Sequence, residues 1–151
     1  MIRHLVSALA IVLLLAPPLA AAEKAHTLES VQAETNLERR ARYALELARQ
    51  TIPPMINSYF EGATDQARER LALVLEATEL ARSSLEATGK RASKNPKHFK
   101  RAEIQTRGLL EDLESARREV GVDQREDLDP IIKRIDAINS ELLMGIMAKK
   151  K

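Results

Sequence analysis

Residues 93–120 read SKNPKHFKRAEIQTRGLLEDLESARREV. Phe99, Ala102, Thr106, Leu109, Leu110, Leu113, Ala116 and Val120 recur there at spacings of three and four, which gathers them on one face of a helix. Asn95 is a good N-cap, Pro96 suits the first helical position, and Gly121 stands where a C-terminal glycine would stop the helix. Such a stripe must be buried against partners, so the rest of the chain has to supply further amphipathic helices.

It does so on both sides. Upstream, Thr35-Asn36-Leu37-Glu38 has the spacing of a capping box, and Leu37, Ala41, Ala44, Leu45, Ala48 and Ile52 follow as a stripe. Pro53 and Pro54 interrupt it, and two outcomes stand open, a full stop near Ile52 or a kink. Met55, Ile56, Tyr59 and Phe60 keep helical spacing beyond the prolines, up to Glu61-Gly62. Thr64 is placed to cap the next helix, whose stripe is Ala67, Leu71, Val74, Leu75, Thr78, Ala81 and Leu85, ending near Gly89. Downstream, Leu128, Ile131, Ile135, Ile138, Leu142 and Ile146 make the cleanest pattern in the chain. Pro130 is tolerable only in a first turn, which puts that N-cap at Glu126 or later.

The connectors are short and nothing alternates with a period of two. The expected fold is therefore all-α: a small up-down antiparallel bundle of three to four helices over residues 35–148. A three-helix core with a loose first helix is the second arrangement. Residues 23–34, with Leu28 and Val31 as the only larger apolar side chains, read as a flexible polar lead-in.

Within the hairpin of residues 43–85 the chain resembles the tetratricopeptide repeat. Gly62, Ala67, Leu71, Val74 and Leu75 fall at the offsets of that family's turn glycine and second-helix packing positions. Pro54, Met55 and Glu79 depart from its pattern, and no second copy follows. The resemblance implies a close helical hairpin.

The first 22 residues read as a signal peptide. Arg3 gives a charged start, Leu5 to Ala16 an apolar centre, Pro17 and Pro18 a break, and Ala20, Ala21 and Ala22 a small-residue cleavage site. An uncleaved anchor is the weaker alternative, because the apolar run is short against the roughly 20 residues of a bilayer span. The expected location is periplasmic or secreted. Cysteine is absent from the 151 residues, which excludes disulfides, thiolate metal sites and cysteine catalysis, so stability comes from packing. The formal charge of +2, lowered by one when Arg3 leaves, names no partner.

No constellation for catalysis is legible. Beyond the leader the histidines are His26 and His98, with no H-E-x-x-H or Glu-x-x-His spacing, no phosphate loop and no nucleophile elbow. Glu38 with Arg42, Glu103 with Arg107, and Glu114 with Arg118 have the i,i+4 spacing of ordinary surface pairs. The reading is non-enzymatic, with no cofactor, no metal and no nucleic acid.

One segment departs from ordinary helix design. Lys90, Arg91, Lys94, Lys97, Lys100 and Arg101 place six basic residues among twelve, with His98 and Phe99 between them and no acid from Glu86 to Glu103. Basic charge in a first helical turn opposes the macrodipole at a few tenths of a kcal/mol. A solvated loop is the bland interpretation. The functional one makes Lys90, Arg91, Lys94, Lys97, His98, Lys100 and Arg101 a candidate anion- or partner-binding set. Phe99 reads as a core anchor. The expected function is a protein-interaction module with another envelope protein as partner; the alternative is an anionic surface, phospholipid headgroups or cell-wall polymer, met by residues 90–101. Lys149, Lys150 and Lys151 form a basic tail.

Overall fold

A computed structural model describes residues 25–148. The signal-peptide reading of residues 1–22 and the lysine tail at 149–151 lie outside the described residues. Five helices follow one another: α1 (Leu28–Gln32), α2 (Leu37–Phe60), α3 (Thr64–Ala87), α4 (Pro96–Glu119) and α5 (Val122–Met147). Among the described residues the class is all-α as expected, with five helices rather than three or four. α2 pairs with α3 and α4 with α5; the two hairpins stack with α2 against α4 and α3 against α5, and α1 lies on α2. Met55, Leu85, Leu109, Leu113, Leu128, Ile135 and Ile138 are fully buried where the four stripes meet.

α1 falls in the stretch read as a polar lead-in. Thr27 and Ser30 cap it reciprocally: Thr27 Oγ1 accepts from the Ser30 N–H at 3.2 Å, and the Thr27 N–H donates to Ser30 Oγ at 3.0 Å. Val31 is completely buried. Just before it, the His26 ring stacks on Tyr43 with centroids 4.3 Å apart and meets the Glu46 carboxylate at 3.2 Å. Five residues are too few to display a helical period, so these tertiary contacts were invisible in the pattern.

α2 starts one residue later than its capping-box spacing suggests. Asn36 is the N-cap and its Oδ1 accepts from the Arg39 N–H at 2.9 Å, which leaves Glu38 free to point elsewhere. The helix then runs through Pro53 and Pro54 to Phe60, so the full stop is excluded. A proline inside a helix costs about 3 kcal/mol, whereas burying Ile52, Met55 and Tyr59 on one face returns about 1.5–3 kcal/mol for each. Arg70 of α3 donates to the Pro54 carbonyl at 2.9 Å and bridges to Ser58, whose hydroxyl also donates to that carbonyl.

The α2–α3 turn is a Schellman closure. The Ala63 N–H donates to Ser58 O at 2.9 Å and the Gly62 N–H to Tyr59 O at 3.2 Å, with Gly62 at φ +74°. Ala63, not Thr64, is the N-cap of α3 and makes no side-chain bond; Thr64 is the first helical residue. Gly89, at φ +67°, follows the end of α3.

Gly121 does not end α4 in a left-handed conformation. Val120 is extended and buried, and Gly121, at φ −61°, is itself the N-cap of α5, its N–H bonded to Gln124 Oε1 at 3.0 Å. α5 therefore begins at Val122 rather than after Glu126, and Pro130 stands well inside it. Burial of Leu128, Ile135 and Ile138 on the core side holds the helix through that proline.

Candidate binding face

Asn95 and Pro96 open α4 as expected, but the Asn95 side chain makes no capping bond. Phe99 is buried, which makes it a core anchor. Its burial turns the positions on the far side of the helix outward: Lys97, Lys100 and Arg101 are all exposed, as are Arg91 and Lys94 in the connector before α4.

Two members of the candidate set have another occupation. Lys90 Nζ lies 2.6 Å from Glu38 Oε1, and His98 Nε2 lies 3.3 Å from Glu38 Oε2. Glu38 reaches across from the first turn of α2, so the basic segment has its acid after all, supplied from 52 residues upstream. The expectation that Glu38 pairs with Arg42 gives way accordingly; Arg42 turns to Glu46 at 3.5 Å and lies over the Tyr43 ring. The hydrogen bond from Lys90, with the charges of His98, Lys90 and Lys97 around it, outweighs the opposing effect of burial and holds the Glu38 carboxyl below its ordinary value of 4.5.

Glu38→Gln is expected to lower stability by about 0.5–1 kcal/mol in urea unfolding at neutral pH, the usual size for a largely surface-lying ion pair. The folded state holds this carboxylate ionised to lower pH than the unfolded chain does. Its contribution is thus complete above the ordinary carboxyl range and is lost as pH falls through the depressed value. The wild-type and Gln curves are expected to converge in acid; a difference that persists at low pH would mean that Glu38 acts by packing instead.

Among the described residues, Arg91, Lys94, Lys97, Lys100 and Arg101 make no ion pair within 4.0 Å. Glu103 with Arg107 does form, at 3.2 Å, and Glu114 with Arg118 does not. In the middle of the same outer face, Ile104 is 58% exposed. It sits seven, four and three residues after Lys97, Lys100 and Arg101, the spacings that share a helix face.

α5 brings a second group of apolar side chains to this end. The Asn139 amide donates to Glu103 O at 2.8 Å, and Arg117 pairs with Asp129, which sets α5 antiparallel to α4 with its last turns beside the first turn of α4. A Cβ on Gly145 would stand 3.5 Å from that of Ala92, placing the connector there as well. On those last turns Leu143, Met144 and Met147 are exposed. None of these four apolar residues belongs to a core stripe. That was their signal in the sequence: Ile104 and Met144 fall about half a helical turn away from the buried positions of their own helices.

The remaining polar clusters hold the bundle together. Arg134 and Arg82 both reach Glu79, and both reach Glu141, tying α5 to α3. Asp127 accepts from the Tyr59 hydroxyl and from Arg68, joining α5 to α2 and α3. A solvent-open cleft of about 360 Å³ between α2 and α4 is lined by Leu45, Glu46, Arg49, Gln50 and Gln105, with Arg49 turned to Asp112 at 3.5 Å. The described residues hold no group of three or more acidic or histidine side chains arranged for a metal, and none of their helices is long and apolar enough to cross a membrane.

No known protein family, curated protein or solved structure matches this chain.

Proposed function

We propose that the chain is a non-enzymatic, exported helical module that binds an anionic surface through the outer face of α4. The observation that carries this reading is the group Arg91, Lys94, Lys97, Lys100 and Arg101, exposed and without an ion pair among the described residues. Lys90 and His98 leave the candidate set as direct ligands, because Glu38 engages both. Each cation brought against a strongly anionic surface contributes about 1 kcal/mol, and salt screens the attraction within a Debye length of ~10 Å at 0.1 M. Export rests on the leader, Arg3 to Ala22.

The test is binding to soluble polyphosphate, a polyanion without an apolar part. Association is expected to weaken steeply with salt, and by at least roughly tenfold when Lys97→Ala, Lys100→Ala and Arg101→Ala are combined. Equal affinity of the triple variant, with unchanged helicity, would refute the assignment.

A protein partner from the cell envelope is the second reading. Phe60 and Val122, 61% and 72% exposed, favour it at the opposite end of the bundle. In an envelope pull-down, a partner retained by the wild type and lost from Phe60→Ser with Val122→Ser supports this reading. Retention by both proteins counts against it.

A further inference from the structure

We infer that the anionic surface is a phospholipid bilayer, and that Ile104 together with the last turns of α5 enters its interface. The inference rests on the reading just given and deepens it by naming the partner.

A polyanion such as a cell-wall polymer needs the cations and has no use for the apolar side chains among them. Here the two are interleaved. Ile104 is exposed on the face of α4 that carries Lys97, Lys100 and Arg101. Leu143, Met144 and Met147, 43%, 64% and 73% exposed, lie at the end of α5 that the antiparallel register sets beside the first turn of α4. Apolar residues scattered singly over a surface need no explanation, but these four share one end of the bundle with the cations that make no ion pair among the described residues.

That combination is the chemistry of an interfacial helix. Lysine and arginine meet phosphate groups, while apolar side chains sink 5–10 Å or so into the headgroup and acyl boundary. Methionine suits the disordered acyl layer, being unbranched and flexible. The face also has a limit: Glu111 and Glu114, exposed further along α4, would be repelled by anionic lipid, which confines the contact to the first half of the helix.

The chain contains no tryptophan, so a single indole reports its own surroundings. Three variants of the mature chain, residues 23–151, carrying Ile104→Trp, Met147→Trp or Val122→Trp, are mixed with phosphatidylglycerol vesicles and with phosphatidylcholine vesicles. Expected are binding to phosphatidylglycerol alone, a blue shift at positions 104 and 147 with quenching by brominated acyl chains, and an unshifted signal at position 122. Removing the three cations is expected to weaken vesicle binding by roughly a hundredfold, about fivefold for each. Ile104→Ser, which introduces no new apolar group, is expected to weaken vesicle binding while leaving polyphosphate binding unchanged.

Salt-sensitive vesicle binding with water-exposed indoles at 104 and 147 overturns the insertion and leaves the anionic reading intact. So does binding to polyphosphate, or to an acidic protein, without binding to vesicles. Vesicle association that ignores both salt and the triple substitution arises elsewhere in the chain and overturns both.

Discussion

Between pH 10 and pH 12 the fold is expected to lose about 2 kcal/mol of stability through a single tyrosine. Tyr59 is only 3% exposed, and its hydroxyl donates to Asp127 Oδ2 at 3.1 Å. Burial, then the negative charge of Asp127 and the hydrogen bond to it, push the phenol from 10.0 up to about 12. Over that interval the unfolded chain has released this proton and the folded chain has not. Unfolding therefore becomes easier as pH rises through 10, and the loss levels off only once pH has passed through the folded value of about 12. Each unit of separation corresponds to about 1.4 kcal/mol.

Urea midpoints taken through this range check the loss, and absorbance titration of Tyr43→Phe, which leaves Tyr59 as the only tyrosine, locates the ionisation. Tyr59→Phe is expected to cost about 1 kcal/mol at neutral pH, one hydrogen bond, and to flatten the alkaline decline. The cost stays modest because Arg68 still pairs with Asp127 at 3.0 Å. An alkaline decline of equal size in the Phe variant would place its origin elsewhere.

Pro130→Ala is expected to raise stability by about 2 kcal/mol. Pro130 is exposed, so alanine forfeits little packing there. It lies inside α5, where it offers no N–H to the carbonyl of Glu126 and its ring crowds that group. Alanine restores the bond and recovers most of the roughly 3 kcal/mol that separates the two residues in a helix interior. Part of the gain, about 0.4–1 kcal/mol, is returned because the unfolded chain becomes more flexible without the ring. The urea midpoint should move up with an unchanged slope. A lower midpoint would mean that the proline is preferred at this position, for instance because it shapes a bend on which the packing of Ile131 and Ile135 depends.

The same proline shows where sequence reading stops. A start at Glu126 or later followed from local rules, since proline belongs in a first turn. Burial of Leu128 in front of Pro130 and of Ile135 behind it outweighs that rule, and so does the burial of Ile52, Met55 and Tyr59 around Pro53 and Pro54. The caps behave alike. Asn36 displaces Thr35, Ala63 displaces Thr64, and Gly121 begins a helix instead of ending one. Neighbouring residues compete for such positions at differences of about 1 kcal/mol, small beside the packing that sets where each helix lies.

The candidate face was half legible. Its cations stood out in the sequence because six fell within twelve residues. Their sorting did not, since it depends on Glu38, which approaches Lys90 and His98 only once α2 and α4 are side by side. Ile104, Met144 and Met147 could be told from core residues by their angle around the helix, but their meeting at one end of the bundle is a matter of register between α4 and α5.

Four amphipathic stretches, the larger part of their buried stripes and the turns at Gly62 and Gly89 were determined by the sequence alone, because a repeat of 3.6 residues and a break at glycine are local properties. Tertiary structure decided what no window along the chain contains: that α1 exists, that α2 and α5 pass through their prolines, that Glu38 answers the basic turn, and which apolar side chains stay in water. Each of these depends on residues brought together from distant parts of the chain, and burial energy summed over such contacts exceeds the local preferences that a sequence displays.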